Sequence, residues 1–438
     1  MHGLALPLAP VLTLVVPLLG AVGLVMVAPV LWLPALGLAA VLGVGLLALR
    51  HPTVFCMAWL LVTGATVEMA LLDLIGPAAF QITIAAEKAA GLALAAVCAL
   101  RWGWRPDPLN PAWAFAAMGV FGLAVGLHPD LPPQDSLRSL FGSIAPFAFC
   151  FCRIPRDRAA ILLATVRWCP VVAVCFGVVL TLAGLRPLFV EGGGLRLAGV
   201  GHPAFLAGVT LVGVYACLIE MFRRDRAADR WLLVVNVVIL LLTGARAPLA
   251  YGAAVILLSL TFLRAPAFPA MRRGFLVLGA VCAVPVLIAV AGDLSDVRVF
   301  HLLTTDAGNL SGRERLWPLF EAATEGAPWF GWGIGAGNIV IPPASAVARL
   351  LRTWAAHNEY LRIRVEGGWI GLGLLIAMFT AWVTIRTAPL AHSDRWIMRF
   401  VFLAFAAHAI TDNVLISTPA CVLFTFAAAV FSSGDRRS

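Results

Sequence analysis

Apolar residues along this chain gather into long blocks separated by short polar breaks. The blocks run over 8–27, 30–49, 53–72, 81–100, 111–128, 138–152, 159–184, 203–222, 231–242, 247–263, 274–292, 365–386, 396–411 and 414–432. A helix that crosses a bilayer needs about 20 such residues, so most blocks qualify. The blocks 138–152 and 231–242 are short, and neighbouring short blocks can pair into broken or re-entrant helices. The pattern predicts an all-α polytopic membrane protein with 12–14 transmembrane helices. The start, Met1-His2-Gly3, lacks a basic region and further spans follow the first block, so no cleaved signal is expected.

Composition excludes a water-soluble fold. Hydrophobic residues are 61% of the 438 and charged residues 12%, against roughly 25% charged in an ordinary soluble domain. A net charge of +9 would suggest nucleic acid in a soluble protein. Here the arginines stand in the breaks, where they orient helices, and no nucleic-acid partner is expected. One alternating set of breaks holds Arg50, Arg101, Arg105, Arg153, Arg156, Arg158, Arg223, Arg224, Arg226, Arg230, Arg264, Arg272, Arg273, Arg386, Arg395, Arg399, Arg436 and Arg437. The other set holds little beyond Arg138, Arg186, Arg196 and Arg246. The positive-inside rule makes the first set cytoplasmic and puts both termini inside. The long segment from Asp293 to Tyr360 is then outside. The chain divides into N-terminal helices over 1–184, arginine-bearing helices over 185–292, the outer segment 293–360, and C-terminal helices with a short tail over 361–438. Within the outer segment, Arg315–Ala323 and Ala344–Trp354 have helical periodicity, and Pro328–Gly335 reads as a glycine-aromatic turn. The nine cysteines lie in apolar stretches without a CxxC pair, which predicts neither a disulfide framework nor a zinc site.

Four polar clusters fall on the outer side. They are Arg196–Pro203, Thr243–Arg246, Ser311–Arg315 with Trp317, and His357–Leu361 leading to Glu366. Arg246 stands between Leu241-Leu242 and Pro248-Leu249, where an unpaired charge costs roughly 2.5–3.5 kcal/mol. It either snorkels to headgroup phosphates or serves a ligand. With Arg196 and Arg313 on the same side, a shared anion is the better account, and a diphosphate fits guanidinium forks well. His357 has the setting of a general base, although a histidine bonded to backbone at a helix start is the plain alternative. His202, before Pro203, reads more simply as a turn former. Glu366 has Arg362 one turn away for an ion pair. Glu68, Glu87 and Lys88 take no sharper assignment. No phosphate-binding loop, dinucleotide fingerprint, HExxH or GxSxG is present.

Taken together, the four clusters resemble the O-antigen ligase/polymerase family of integral membrane glycosyltransferases. The matching elements are Arg196-x-x-Gly199-x-x-His202-Pro203, Thr243-Gly244-x-Arg246, and Ser311-Gly312-Arg313 with Trp317. The last is His357-Asn358-x-Tyr360-Leu361 followed by Glu366, Gly368, Gly371 and Leu372. The resemblance covers the C-terminal half. It implies a GT-C-like fold in the bacterial inner membrane with a periplasmic site. It implies transfer of a glycan from an undecaprenyl-diphosphate carrier to a sugar of lipid A–core, by an inverting reaction without metal or other cofactor. Arg196 and Arg246, joined by Arg313, would then hold the diphosphate, and His357 would take the acceptor proton. Arg315, Tyr360, Trp317, His202 and Glu366 are the further substrate contacts it suggests. The residues agree: a carrier diphosphate is already a good leaving group, and no DxD-like cluster is present to hold a metal. A polymerase that extends carrier-linked repeats shares this donor chemistry, and the single dominant outer segment favours the ligase. A transporter of the lipid-linked glycan is the alternative from another class, disfavoured because transport sites lie toward the midplane.

Overall fold

The computed structural model of the protein describes residues 43–191, 194–224, 226–264, 316–342, 344–351 and 353–434. Two compact units emerge, Met1–Phe55 and Cys56–Ser438. The first contributes α1 (Gly43–Arg50) among its described residues. The helix α2 (Pro52–Ala65) begins there and continues into the second unit. The second unit then runs α3 (Val67–Ile75), α4 (Pro77–Trp102), α5 (Ala112–Val125), α6 (Pro133–Ile144) and α7 (Arg156–Leu182). A two-stranded antiparallel ribbon follows, β1 (Phe189–Glu191) and β2 (Leu195–Leu197), pairing Val190 with Arg196. Next come α8 (Pro203–Arg224), α9 (Ala227–Leu242), α10 (Arg246–Phe262), α11 (Trp317–Glu325), α12 (Ala346–Leu351), α13 (Glu359–Thr387), α14 (His392–His408) and α15 (Thr418–Phe431).

This is an all-α membrane protein. Among the described residues four helices are long and apolar enough to cross a bilayer: Ile82–Trp102, α7, α8 and α13. The shorter apolar helices α5, α10 and α15 accompany them. Burial separates their roles, because 89% of the apolar window of α8 is buried against 28% for Ile82–Trp102. Helix α8 is therefore the hub on which others pack, and α4 turns much of its apolar surface outward, where lipid suits it. The expected blocks 8–27 and 274–292 and most of 30–49 lie outside the described residues.

Two expected spans break for local reasons. The block 53–72 splits at Thr66, whose left-handed backbone (φ 55) ends α2 and starts α3. The block 138–152 leaves the α-helix after Ile144 and continues as a 3₁₀ turn over Ala145–Phe151. Pro146 lacks the N–H that an α-ladder would need there. Phe147 and Phe149 on that turn are buried, with Phe147 4.2 Å from the ring centroid of Phe424. The 3₁₀ half of this block packs into the core, and the block forms no continuous α-helix of spanning length.

The expected outer helices form at Trp317–Glu325 and Ala346–Leu351, close to the stretches the periodicity marked. The glycine-aromatic turn between them docks on a break in α13. At Gly368 the backbone leaves helical geometry (φ 63, ψ −164), a region open essentially to glycine alone. The turn supplies the hydrogen bonds lost there. Trp332 N and Gly333 N donate to Val365 O and Glu366 O at 2.8 and 3.0 Å, while Trp369 N and Ile370 N donate to Pro328 O and Trp329 O at 2.8 and 3.1 Å. A Cβ on Gly368 would overlap the Trp329 carbonyl, and one on Gly331 (φ 69) would lie 2.5 Å from the Glu366 backbone. Gly368→Ala is therefore expected to destabilise the protein by about 1–3 kcal/mol. Thermal unfolding in detergent checks this, and an unshifted midpoint would contradict the interlock.

Candidate functional site

A cavity of about 760 Å³ opens within the second unit, with Arg196, His202, Arg246 and His357 in its lining. Four breaks in the apolar pattern supply its polar wall: 196–202, 244–248, the residues before α13, and 411–418. All four belong to the alternating set of breaks expected outside. Its apolar wall includes Phe205, Leu211 and Tyr215 of α8, Tyr251 of α10, and Phe405 of α14.

Each cation is placed by a turn. Arg196 sits on β2, and its Nε donates to Thr243 O at 2.9 Å, tying the ribbon to the corner between α9 and α10. The left-handed Gly244 (φ 61) turns that corner and delivers Arg246 to the first position of α10. Arg246 is exposed, and none of the hydrogen bonds or ion pairs among the described residues engages its guanidinium. His202 accepts from Ala204 N at 3.2 Å, holding the start of α8 while its ring remains in the cavity wall.

His357 occupies a left-handed conformation (φ 47), unusual for a residue with a side chain. Asn358 next to it caps α13 by accepting from Leu361 N at 3.2 Å. The His357 ring is held at both nitrogens, with Nδ1 3.0 Å from Asp412 Oδ1 and Nε2 3.0 Å from Thr353 Oγ1. An ionised carboxylate only accepts, so Nδ1 carries hydrogen; in the neutral ring Nε2 then keeps its lone pair and accepts from the Thr353 hydroxyl. A hydroxyl that replaces Thr353 at Nε2 meets a base already in the correct tautomer.

Asp412 is the main residue that the sequence reading missed. The strap that bears it, between α14 and α15, is fixed by buried charge. Glu359 Oε1 accepts from Leu415 N at 2.6 Å and Glu359 N donates to Ala409 O at 2.8 Å. Lys88, the sole lysine in the chain, donates from α4 to Ile416 O at 2.9 Å and Gly142 O at 3.3 Å. Thr418 donates to Glu68 Oε1 at 2.9 Å. Glu68 and Lys88 thus acquire a role as anchors for one wall of the cavity. His408 is a second omission: it lies inside the apolar block 396–411, yet it lines the same cavity.

Other expected contacts stand apart from that lining. Tyr360 donates to Ala406 O at 2.9 Å, and Trp317 Nε1 donates to Ala356 O at 3.0 Å. Glu366 is buried and takes a 2.7 Å bond from Arg362 Nη1, while Arg362 Nε reaches Glu359 Oε2 at 2.5 Å. These polar groups are already engaged within the protein, and they shape α13 and its surroundings. Arg313 and Arg315 lie outside the described residues. The eight described cysteines are free thiols.

Fold and cavity together define a polytopic helical membrane protein with fixed cations and a carboxylate-held imidazole around one pocket. Comparison with known families narrows the class. Residues 231–376 match the family model for O-antigen ligase, and the resemblance read from the motifs is borne out over that stretch. The match includes Arg246 and His357 and begins downstream of Arg196 and His202. A search of curated proteins gives no match. The family supports an O-antigen ligase/polymerase type of function in general, that of a membrane glycosyltransferase-like enzyme acting on lipid-linked glycans.

Proposed function

We propose that the protein is an O-antigen ligase that moves a glycan from undecaprenyl diphosphate to a sugar hydroxyl of lipid A–core. The fold is GT-C-like, the membrane is the bacterial inner membrane, and the cavity faces the periplasm, with residues 293–360 as its large outer loop. The observation that carries the reading is the shared cavity, lined by Arg196, Arg246 and the His357–Asp412 pair. The strong arginine bias of the alternate breaks supports the sidedness.

In this mechanism Arg196 and Arg246 bind the diphosphate and offset the charge that grows on it as the glycosidic bond breaks. Arg313 joins them from the loop. His357 Nε2 takes the proton of the acceptor hydroxyl as its oxygen attacks the anomeric carbon from the side opposite the diphosphate, which inverts that centre. Asp412 holds the ring and stabilises the imidazolium that forms. The diphosphate departs as the free carrier, so atoms and charge balance without a metal.

The decisive assay combines purified protein in nanodiscs with carrier-linked glycan, with and without lipid A–core. Glycan on the core is the expected product; longer carrier-linked chains would make the protein a polymerase, and carrier-linked glycan moved intact across the membrane would make it a transporter. Transfer is also expected to survive EDTA. Full loss that a divalent ion restores would contradict the arginine-based mechanism.

A further inference from the structure

On the far side of Asp412 from His357 lies another imidazole. Asp412 Oδ1 is 3.0 Å from His357 Nδ1, and Asp412 Oδ2 is 4.0 Å from His408 Nε2. His408 ends α14, and its ring centroid is 5.4 Å from that of Tyr251 on α10. Both imidazoles line the one cavity. We propose that His408 is a positioning residue that shares the Asp412 carboxylate with His357 and thereby sets the pH range over which His357 acts as a base. This inference rests on the base role given to His357 above.

One carboxylate between two imidazoles favours the first proton and resists the second. When His408 is protonated, Asp412 is partly neutralised and a second cation stands near His357. The proton affinity of His357 falls, and the base stays neutral to lower pH. The other groups around His408 do not replace this coupling. Helix α10 presents Arg246 and Tyr251, α8 presents Tyr215 with His202 just before its start, and β2 presents Arg196. The arginines keep one charge across the working pH range, so they act on both imidazoles alike and supply no switch. On α13, Glu359 and Arg362 are buried in their own ion pair, and the Tyr360 hydroxyl is bonded to Ala406 O. His408 stands within ion-pair distance of Asp412 on the side opposite the His357 contact, whereas His202 is engaged by Ala204 N at the start of α8.

The test is the pH dependence of kcat/KM in nanodiscs with carrier-linked glycan and lipid A–core, comparing wild type, His408→Gln and His357→Ala. Glutamine can still bond Asp412 but cannot take a proton. His408→Gln should move the acid limb upward by about half a pH unit, as expected for charges several ångströms apart in a partly hydrated site. A lowered rate with an unmoved limb would assign His408 a packing role and overturn the inference while leaving the base role of His357 intact. Transfer by His357→Ala equal to wild type would overturn both. Should His408→Gln not fold, diethyl pyrocarbonate labelling of wild type, followed at each histidine by mass spectrometry, gives a second reading. Shallow, mutually dependent titrations support the shared carboxylate, and two independent one-proton curves refute it.

Discussion

His357→Ala is expected to reduce glycan transfer by about 10²–10⁴-fold, the usual contribution of a positioned general base, while folded protein still reaches the membrane. The residue caps no helix itself, since Asn358 performs that function for α13, so the fold has little reason to suffer. Its left-handed backbone is relieved only slightly by alanine, and thermal unfolding should remain near wild type. Asp412→Asn should reproduce a large part of the loss with the imidazole still present, because an amide can stabilise the wrong tautomer and cannot offset an imidazolium. In wild type kcat/KM should fall on acidification, because a protonated His357 ring cannot take the acceptor proton. Transfer rates in nanodiscs across pH 5–9 provide the check. Undiminished transfer by His357→Ala would remove the base assignment.

The second large effect concerns stability. Arg362 is 4% exposed, between Glu359 at 2% and Glu366 at 1%, and it bonds both carboxylates. Arg362→Leu leaves two buried carboxylates without their cation, a loss of about 3–5 kcal/mol for a broken buried pair. It should lower the unfolding midpoint clearly in detergent. Transfer should fall too, because Glu359 also holds Leu415 N on the strap that carries Asp412. Arg362→Leu with Glu366→Leu should recover part of the midpoint, since removing both partners is far less damaging than removing one. A single variant as stable as wild type would contradict the role of this ion-pair cluster.

Much of this was legible in the apolar pattern and in short local motifs. The blocks at 159–184, 203–222 and 365–386 became long helices because each is continuous and bounded by helix-ending signals. The Glu366–Arg362 pair followed from one-turn spacing, and the cavity-lining positions of Arg196, Arg246 and His357 from their common side of the breaks. The His357–Leu372 motif combined two kinds of information that sequence alone does not separate. His357 faces the cavity, whereas Asn358, Glu366 and Gly368 build the cap and the break of α13. Asp412 was not legible because its partner is 55 positions away in sequence. The break that bears it is also only a few residues long. His408 was hidden for another reason: it lies inside the apolar block 396–411, where the pattern marks it as part of a span. Lys88 looked like an isolated charge because its acceptors are backbone carbonyls, which no side-chain pattern reveals.

In the proposed mechanism Arg196, Arg246 and His357 surround the phosphorylated head of a polyprenol. A cryo-EM map of the protein in nanodiscs with undecaprenyl diphosphate tests it most directly. Diphosphate density is expected in the cavity, in contact with both guanidiniums and open toward His357 Nε2. Diphosphate bound elsewhere, with both arginines bare, would contradict it.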